Sequence, residues 1–463
     1  MTLTGLTADS ADTLTVRGAT VPAGHAAAGH RATDRNWVAT LPEHPDRVTT
    51  ERDTVVDHGR TAPATFREVF AVGEFRALWS AELFSIMGDQ LARVALSVLV
   101  FERTRSAGLT ALTYALTYLP DLVGGPLLSG LADRHPRRAV MVVSDLVRAV
   151  LIAAMAVPGM PIAAIAGLLV VAQLANAPFA SAQAATLPQV LGGDRYVIGQ
   201  TIRQITVQAA QLVGFAGGGG VVAWLGTSQA LAIDSATFLL SAGLIGFGVR
   251  HRPAPRQGAE DATNSMLRQI RAGARIIWRD RRLRTLVGLA WLAGFGIVPE
   301  GLAAPYAADI GEGTLAVGLL LAAHPAGIVI GAFVLGRGFG PERRQRLIGP
   351  LAVLALLPLL GYALHPGLHA ALGLLLLSGI CTAYQVTASA TFISLVPDSG
   401  RGQAFGLAGS GLIAAQGLGL LAGGVLVTIL GSAATAIATA GAAGTLVALP
   451  AAAAWSRART AKP

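Results

Sequence analysis

The sequence predicts an all-α integral membrane protein, with about twelve transmembrane helices in two six-helix halves. Hydrophobic residues make up 53% of the 463 positions and charged residues only 13%, whereas soluble proteins carry about 25% charged residues. The apolar residues fall in blocks of roughly 20, long enough for a helix to cross a hydrocarbon core of about 30 Å. A stretch in the first half of the chain also recurs in the second.

Helices are the economical reading, because backbone groups in lipid must be satisfied within their own segment. Barrel strands would alternate polar and apolar residues, and these blocks do not. The net charge of +9 sits in short arginine-bearing loops between apolar blocks, which is a topology signal; no nucleic-acid role is expected. Cys381 is the only cysteine, so no intrachain disulfide can form. Lys462 is the only lysine, which excludes a phosphate-binding G-x-x-x-x-G-K-[ST] loop. Transport would then draw on a gradient or a separate subunit. The first long apolar block starts near Ala77, and nothing before it reads as a cleaved signal peptide.

Residues 1–64 are polar, without apolar period, and read as a disordered cytoplasmic tail. Residues 66–76 form an amphipathic lead-in. The N-terminal half runs over 65–249, with spans at 77–101, 109–132, 139–157, 162–184, 197–224 and 228–249. Residues 250–284 are a cytoplasmic linker. Its later part places Leu267, Ile270, Ala274 and Ile277 at helical spacing with arginines opposite, as in a helix lying on the membrane surface. The C-terminal half, 285–455, holds spans at 285–308, 314–336, 347–364, 367–394, 404–430 and 433–455, and 456–463 is a short tail.

Loops near 158–161, 226–227, 309–313, 365–366 and 431–432 contain no arginine or lysine; the first outer loop, with Arg103 and Arg105, is the exception. The alternate loops carry Arg134, Arg137, Arg138, Arg195, the 250–284 arginines, Arg343, Arg344, Arg346 and Arg401. Positive loops face the cytoplasm, so both termini are expected there. The segment from Ala209-Ala210-Gln211 to Gly226 aligns with Ala414-Ala415-Gln416 to Gly431. The alignment pairs Gly214 with Gly419, and Gly218 and Gly219 with Gly423 and Gly424. It relates span 5 to span 11, as parallel repeats would.

The turn at 129–138 reads Ser-Gly-Leu-Ala-Asp-Arg-His-Pro-Arg-Arg. Gly130, Asp133, Arg134, Arg137 and Arg138 are candidates for a conformational lock. The Asp133 carboxylate can pair with Arg137 or with a neighbouring helix N-terminus; alternatively, the arginines only enforce topology. This turn resembles the signature loop of the major facilitator superfamily, with Ser129 and Pro136 where that family usually has glycine. Phe75-Arg76-Ala77-Leu78-Trp79, Gly88-Asp89, Ser144 to Ala149 and Ile233 to Phe238 resemble the branch of enterobactin exporters and drug-efflux permeases. The resemblance implies export of a drug, secondary metabolite or siderophore by proton antiport. Gly214, Gly217, Gly218, Gly219 and Gly220 are similar to the glycine-rich antiporter motif of drug exporters, without its usual proline; close helix packing is the alternative.

Charges inside spans are costly without a role or a partner. Glu82 and Asp89, both proton-coupling candidates, share one face of span 1, with Arg93 a turn beyond Asp89. Asp89 reads as a proton carrier or as a fixed ion pair with Arg93, and Asp121 as a carrier or a local backbone partner. Asp145 and Arg148 read as a structural pair, and Asp234 as structural. Glu300 and His324, beside Pro299 and Pro325, are the coupling candidates of the second half. Gln204, Gln208 and Gln211, with Asn176, Tyr384 and Gln385, line a polar cavity or act as interhelical glue. Trp291, Phe295 and Tyr114 supply aromatic surface to a substrate or pack the core. No metal, cofactor or enzyme activity is expected. The partners would be a small-molecule substrate, protons and the bilayer, and the chain would act as a monomer. An importer or uniporter of the same fold, or a membrane sensor, are the rival readings.

Overall fold

The computed structural model describes residues 65–128, 130–253 and 262–460. The 1–64 tail, Ser129, the first part of the linker and the last three residues lie outside them. The described chain is helical, and ten of its helical stretches are long and apolar enough to cross a membrane. Large apolar side chains such as Trp224 (91% exposed) and Phe247 (97%) face outward, while Asp145 and Asp234 are fully buried. Apolar groups outside and charges inside suit lipid rather than water, so this is a multi-pass membrane protein.

Helix α1 (Phe66–Ala71) is short and capped by Thr65. The chain turns at Val72 and enters α2 (Gly73–Thr104), the 32-residue first span. Segments α3 (Ala107–Ala115) and α4 (Leu119–Leu128) follow, then α5 (Leu131–Arg134) and α6 (Arg137–Met155). The segments read as spans 2 and 3 are helical, but they are not among the ten: α3 and α4 are interrupted, and α6 carries Arg137, Arg138, Asp145 and Arg148. Next come α7 (Ile162–Leu174), α8 (Asn176–Val190), α9 (Asp194–Leu225) and α10 (Thr227–Gly248). Helix α11 (Ala262–Arg279) is the expected linker helix. It is seated on protein: a Cβ at Gly273 would meet the Gln403 backbone, and Ile276 packs over Gly400.

The seventh span is broken into α12 (Arg281–Trp291), α13 (Ala293–Gly296), α14 (Val298–Gly301) and α15 (Ala303–Asp309). Then follow α16 (Thr314–Gly338), α17 (Pro341–Leu354), a 3₁₀ turn (Leu357–Leu364), α18 (Leu368–Thr382), α19 (Tyr384–Leu395), α20 (Arg401–Leu430) and α21 (Ala433–Thr460). Proline explains several breaks. It lacks an N–H and its ring clashes with the carbonyl four residues earlier. Helices α7, α14 and α17 end at Leu174, Gly301 and Leu354, each four residues before a proline: Pro178, Pro305 and Pro358.

The repeated glycines make equivalent contacts. Added Cβ atoms at Gly214 and Gly218 would strike Gln90, and Val94 and Leu91, of α2. Their counterparts Gly419 and Gly423 press on Gly294 of α13 and Val298 of α14, in the seventh span. Gly219 crosses Gly318 of α16, a Cβ there lying 2.8 Å from its Cα, and Gly424 crosses Gly108 and Ala111 of α3. Span 5 therefore contacts spans 1 and 8 as span 11 contacts spans 7 and 2. Gly217 and Gly220 meet nothing within 4 Å. The crossings at Gly219 and Gly424 lie toward the bundle end that carries the loops at 105, 226, 313 and 431.

Candidate functional site

Asp89 pairs with Arg148, not with Arg93. Arg148 Nη2 lies 2.8 Å and 2.9 Å from the two Asp89 carboxylate oxygens. The guanidinium is 3% exposed and the Asp89 side chain 26%. It sits 4.0 Å from the centre of the Phe238 ring, and Arg148 Nη1 reaches Ser85 Oγ at 3.5 Å. The expected Asp145–Arg148 pair is not formed. Asp145 instead accepts from Ser241 at 2.6 Å. One turn of α6 puts the Arg148 head above Asp145, where α2 offers a carboxylate with both oxygens aligned, and a bidentate geometry is the stronger one.

Asp234 of α10 completes this cluster. Thr237 Oγ1 lies 3.3 Å from its Oδ1, and Gly88 makes the room, since a Cβ there would meet Asp234 and Thr237. One oxygen of Asp145 and one of Asp234 are buried with no hydrogen-bond partner. Three carboxyl groups thus surround one guanidinium, which can neutralise only one of them.

A second cluster joins distant parts of the chain. Arg93 Nη1 donates to Tyr118 Oη at 3.0 Å, with the guanidinium 4.7 Å from that ring's centre and 5.9 Å from that of Tyr114. The two tyrosines stack at 6.2 Å. Tyr114 Oη donates to Glu300 Oε2 at 3.0 Å. A cation, two aromatic rings and an acid therefore form one row, and Arg93 Nε remains without a partner. Tyr114 is buried at 2% exposure, while Arg93, Tyr118 and Glu300 are half-buried and set charge of both signs beside one aromatic ring, which suits an amphipathic organic molecule.

Glu82 is held by Arg203 of α9, Nε to Oε2 at 2.7 Å and Nη2 to Oε1 at 2.5 Å. Gln183 and Gln200 accept from the same guanidinium at 3.1 Å each. This fork leaves Glu82 7% exposed. Asn176, at the start of α8, lies beside Asp121, whose Oδ1 is buried without a partner. Gln208 and Gln211 are half-buried and Gln204 is exposed. His324 is half-buried, with Nδ1 unpartnered, and its backbone carbonyl packs on Gly379 of α18. Tyr384 is 2% exposed and its hydroxyl donates to the Leu289 carbonyl at 2.6 Å, with Gln385 beside it. Trp291 donates to the Ala408 carbonyl at 3.2 Å.

In the arginine turn, Gly130 precedes α5, which contains Asp133 and ends at the exposed Arg134. Arg137 donates to the Ala185 carbonyl at 2.8 Å, and Arg138 to the Gly246 carbonyl. Both guanidiniums thus bind backbone oxygens near the ends of α8 and α10, where the helix dipole favours a cation.

Sequence reasoning missed Tyr118, Gln183 and the joining of Asp234 to Asp89. Gly88 was the available signal for the last, a small residue beside a membrane acid.

The model of the Major Facilitator Superfamily matches residues 78–394. Among curated proteins, the chain is similar to Macrolide efflux protein A of Streptococcus pyogenes, 30% identical over 74 residues. That match spans 16% of this chain and 18% of the relative. The solved structure of a bacterial homologue of the human lysosomal transporter Spinster, inward-facing and occupied, superposes with a TM-score of 0.66 at 15% identity. It covers 83% of this chain and 96% of its own. The nucleoside transporter NupG gives 0.64 at 14% identity, over 84% and 99%. A peptide transporter POT in complex with sulfate gives 0.63 at 14%, over 86% and 96%. At these identities the likeness shows the fold.

Proposed function

The chain belongs to the Major Facilitator Superfamily, and we propose that it exports small organic molecules by proton antiport across the cytoplasmic membrane, with both termini in the cytoplasm. The observation that carries the coupling is the pair Asp89–Arg148: a partly exposed acid held by a buried guanidinium within the helix bundle. Protonation of Asp89 breaks the pair; loss of the proton restores it. The neutral and paired states thereby favour different packings of α2 against α6 and α10.

The halves are two six-helix units, twelve spans in all, and the equivalent glycine contacts of spans 5 and 11 support this. The crossings at Gly219–Gly318 and Gly424–Gly108 close the arginine-poor end. The positive loops assign that end to the outside, so this conformation faces inward. Rocking would open these crossings and close the arginine-rich end. The substrate, an amphipathic drug, secondary metabolite or siderophore, would lie along the half-buried Arg93, Tyr118 and Glu300. The outward direction draws on the likeness to a protein named for macrolide efflux.

The test is proton flux in inside-out vesicles, read by recovery of a quenched pH-sensitive dye on adding macrolides, lipophilic drugs and siderophores. Recovery in the wild type and its loss in Asp89→Asn are expected. Uptake of a compound by right-side-out cells, with no recovery in vesicles, would instead make the protein an importer.

A further inference from the structure

A cavity of about 390 Å³ lies where the start of α6 meets the ends of α8 and α10. Arg137, Arg138, Arg250 and Arg252 line it, with Thr186 and Gln189. The four guanidiniums are held by their outer contacts. Arg137 and Arg138 bind the carbonyls of Ala185 and Gly246. Glu74 takes Arg250 at 3.2 Å and Arg252 at 2.7 Å. One carboxylate against four arginines leaves three positive charges at a site that no described carboxylate lines. Arg137 Nε and Arg252 Nη1 are buried and without hydrogen-bond partners, which is costly for charged donors. The first turn of the 19-residue α6 adds its own positive end. Phe247, 97% exposed, stands on the outer surface two residues before the lining residue Val249, where an acyl chain would run.

We propose that this cavity binds a phosphate-type oxyanion, whose oxygens accept from the guanidinium N–H groups that line it; the phosphate of an anionic lipid headgroup or a soluble phosphate has this chemistry. Guanidinium forks match tetrahedral oxyanions through paired N–H donors. The site is separate from the Asp89 and Glu300 clusters and does not depend on the transport reading.

The experiment uses the full chain purified in neutral detergent. Native mass spectrometry measures binding of phosphatidylglycerol and of diacylglycerol, which lacks the phosphate. One phosphatidylglycerol should be retained and diacylglycerol should not. The double variant Arg250→Gln, Arg252→Gln should bind about 30-fold more weakly, from the usual contribution of two arginines near an anionic surface. The double variant Arg457→Gln, Arg459→Gln, with the same charge change on α21, should bind like the wild type. Gln189→Glu puts a carboxylate at the exposed rim without removing an anchor, and should also weaken binding if the double variant does not fold. Displacement by millimolar inorganic phosphate would identify a soluble phosphate as the ligand source, and persistence against it a lipid. Equal retention of phosphatidylglycerol and diacylglycerol, or wild-type binding in folded Gln189→Glu and Arg250→Gln, Arg252→Gln, would overturn the proposal.

Discussion

Tyr114 donates its phenolic proton to Glu300 at 3.0 Å across 186 positions of sequence. Beside this bond, Gly301 packs on Ala111, and Gly424 on Ala111 and Gly108. The bond therefore ties the second and seventh spans at the place where the repeated glycine of α20 crosses. Buried acids in lipid need such a donor. Rocking the two halves apart at this end would break it.

Replacing Tyr114 by Phe removes that donor and keeps the ring. The loss should be about 1–3 kcal/mol of unfolding free energy, the usual cost of stranding a buried polar group. A double-mutant cycle with Glu300→Met, which keeps the bulk and removes the acceptor, measured by denaturation in mixed micelles, should give a coupling of about 0.5–3 kcal/mol. Additive effects would show that the bond does not hold the crossing.

Gly219→Ala places a methyl against the Gly318 backbone, which cannot yield as a side chain would. Overpacking of this kind costs about 1–3 kcal/mol, so the closed crossing should loosen and flux should fall. Gly217→Ala, which meets nothing within 4 Å, should leave flux unchanged. A vesicle assay on the two variants separates a crossing glycine from a glycine that is merely helical.

Removing Arg148 leaves the buried Asp145 and Asp234 and the partly exposed Asp89 without their cation. Arg148→Gln should destabilise by about 3–5 kcal/mol, the usual effect of breaking one side of a buried pair. Adding Asp89→Asn should restore part of that loss, because one negative charge disappears with it. Thermal unfolding of the single and double variants checks this.

Ten of the apolar stretches were legible because lipid imposes one rule on each, and runs such as 314–336 and 404–430 obey it without interruption. Helix α6, read as the third span, is not among the ten, since it carries Arg137, Arg138, Asp145 and Arg148. Breaks at Leu174, Gly301 and Leu354 follow from prolines four residues later, a local rule the sequence already contained. Partners were another matter. Arg93 is one turn from Asp89 along α2, yet its head reaches Tyr118, while Asp89 is taken by Arg148 from α6. Helical spacing says which side chains share a face, not what the neighbouring helix brings to it. Tyr384 shows the same limit: aromatic and polar at once, it read as cavity lining, and it lies buried with its hydroxyl on a carbonyl of the broken seventh span. The alignment of spans 5 and 11 carried further, because a repeated glycine implies a repeated close approach.

If Asp89 carries the coupled proton, substrate binding should drive proton release from purified protein. A compound that produces dye recovery in vesicles is added to weakly buffered, detergent-solubilised protein containing a pH indicator, and binding is followed in parallel by calorimetry. The wild type should release protons on binding. Asp89→Asn should bind the same compound and release none. Undiminished proton release by folded, ligand-binding Asp89→Asn would contradict the account and move the proton to another acid.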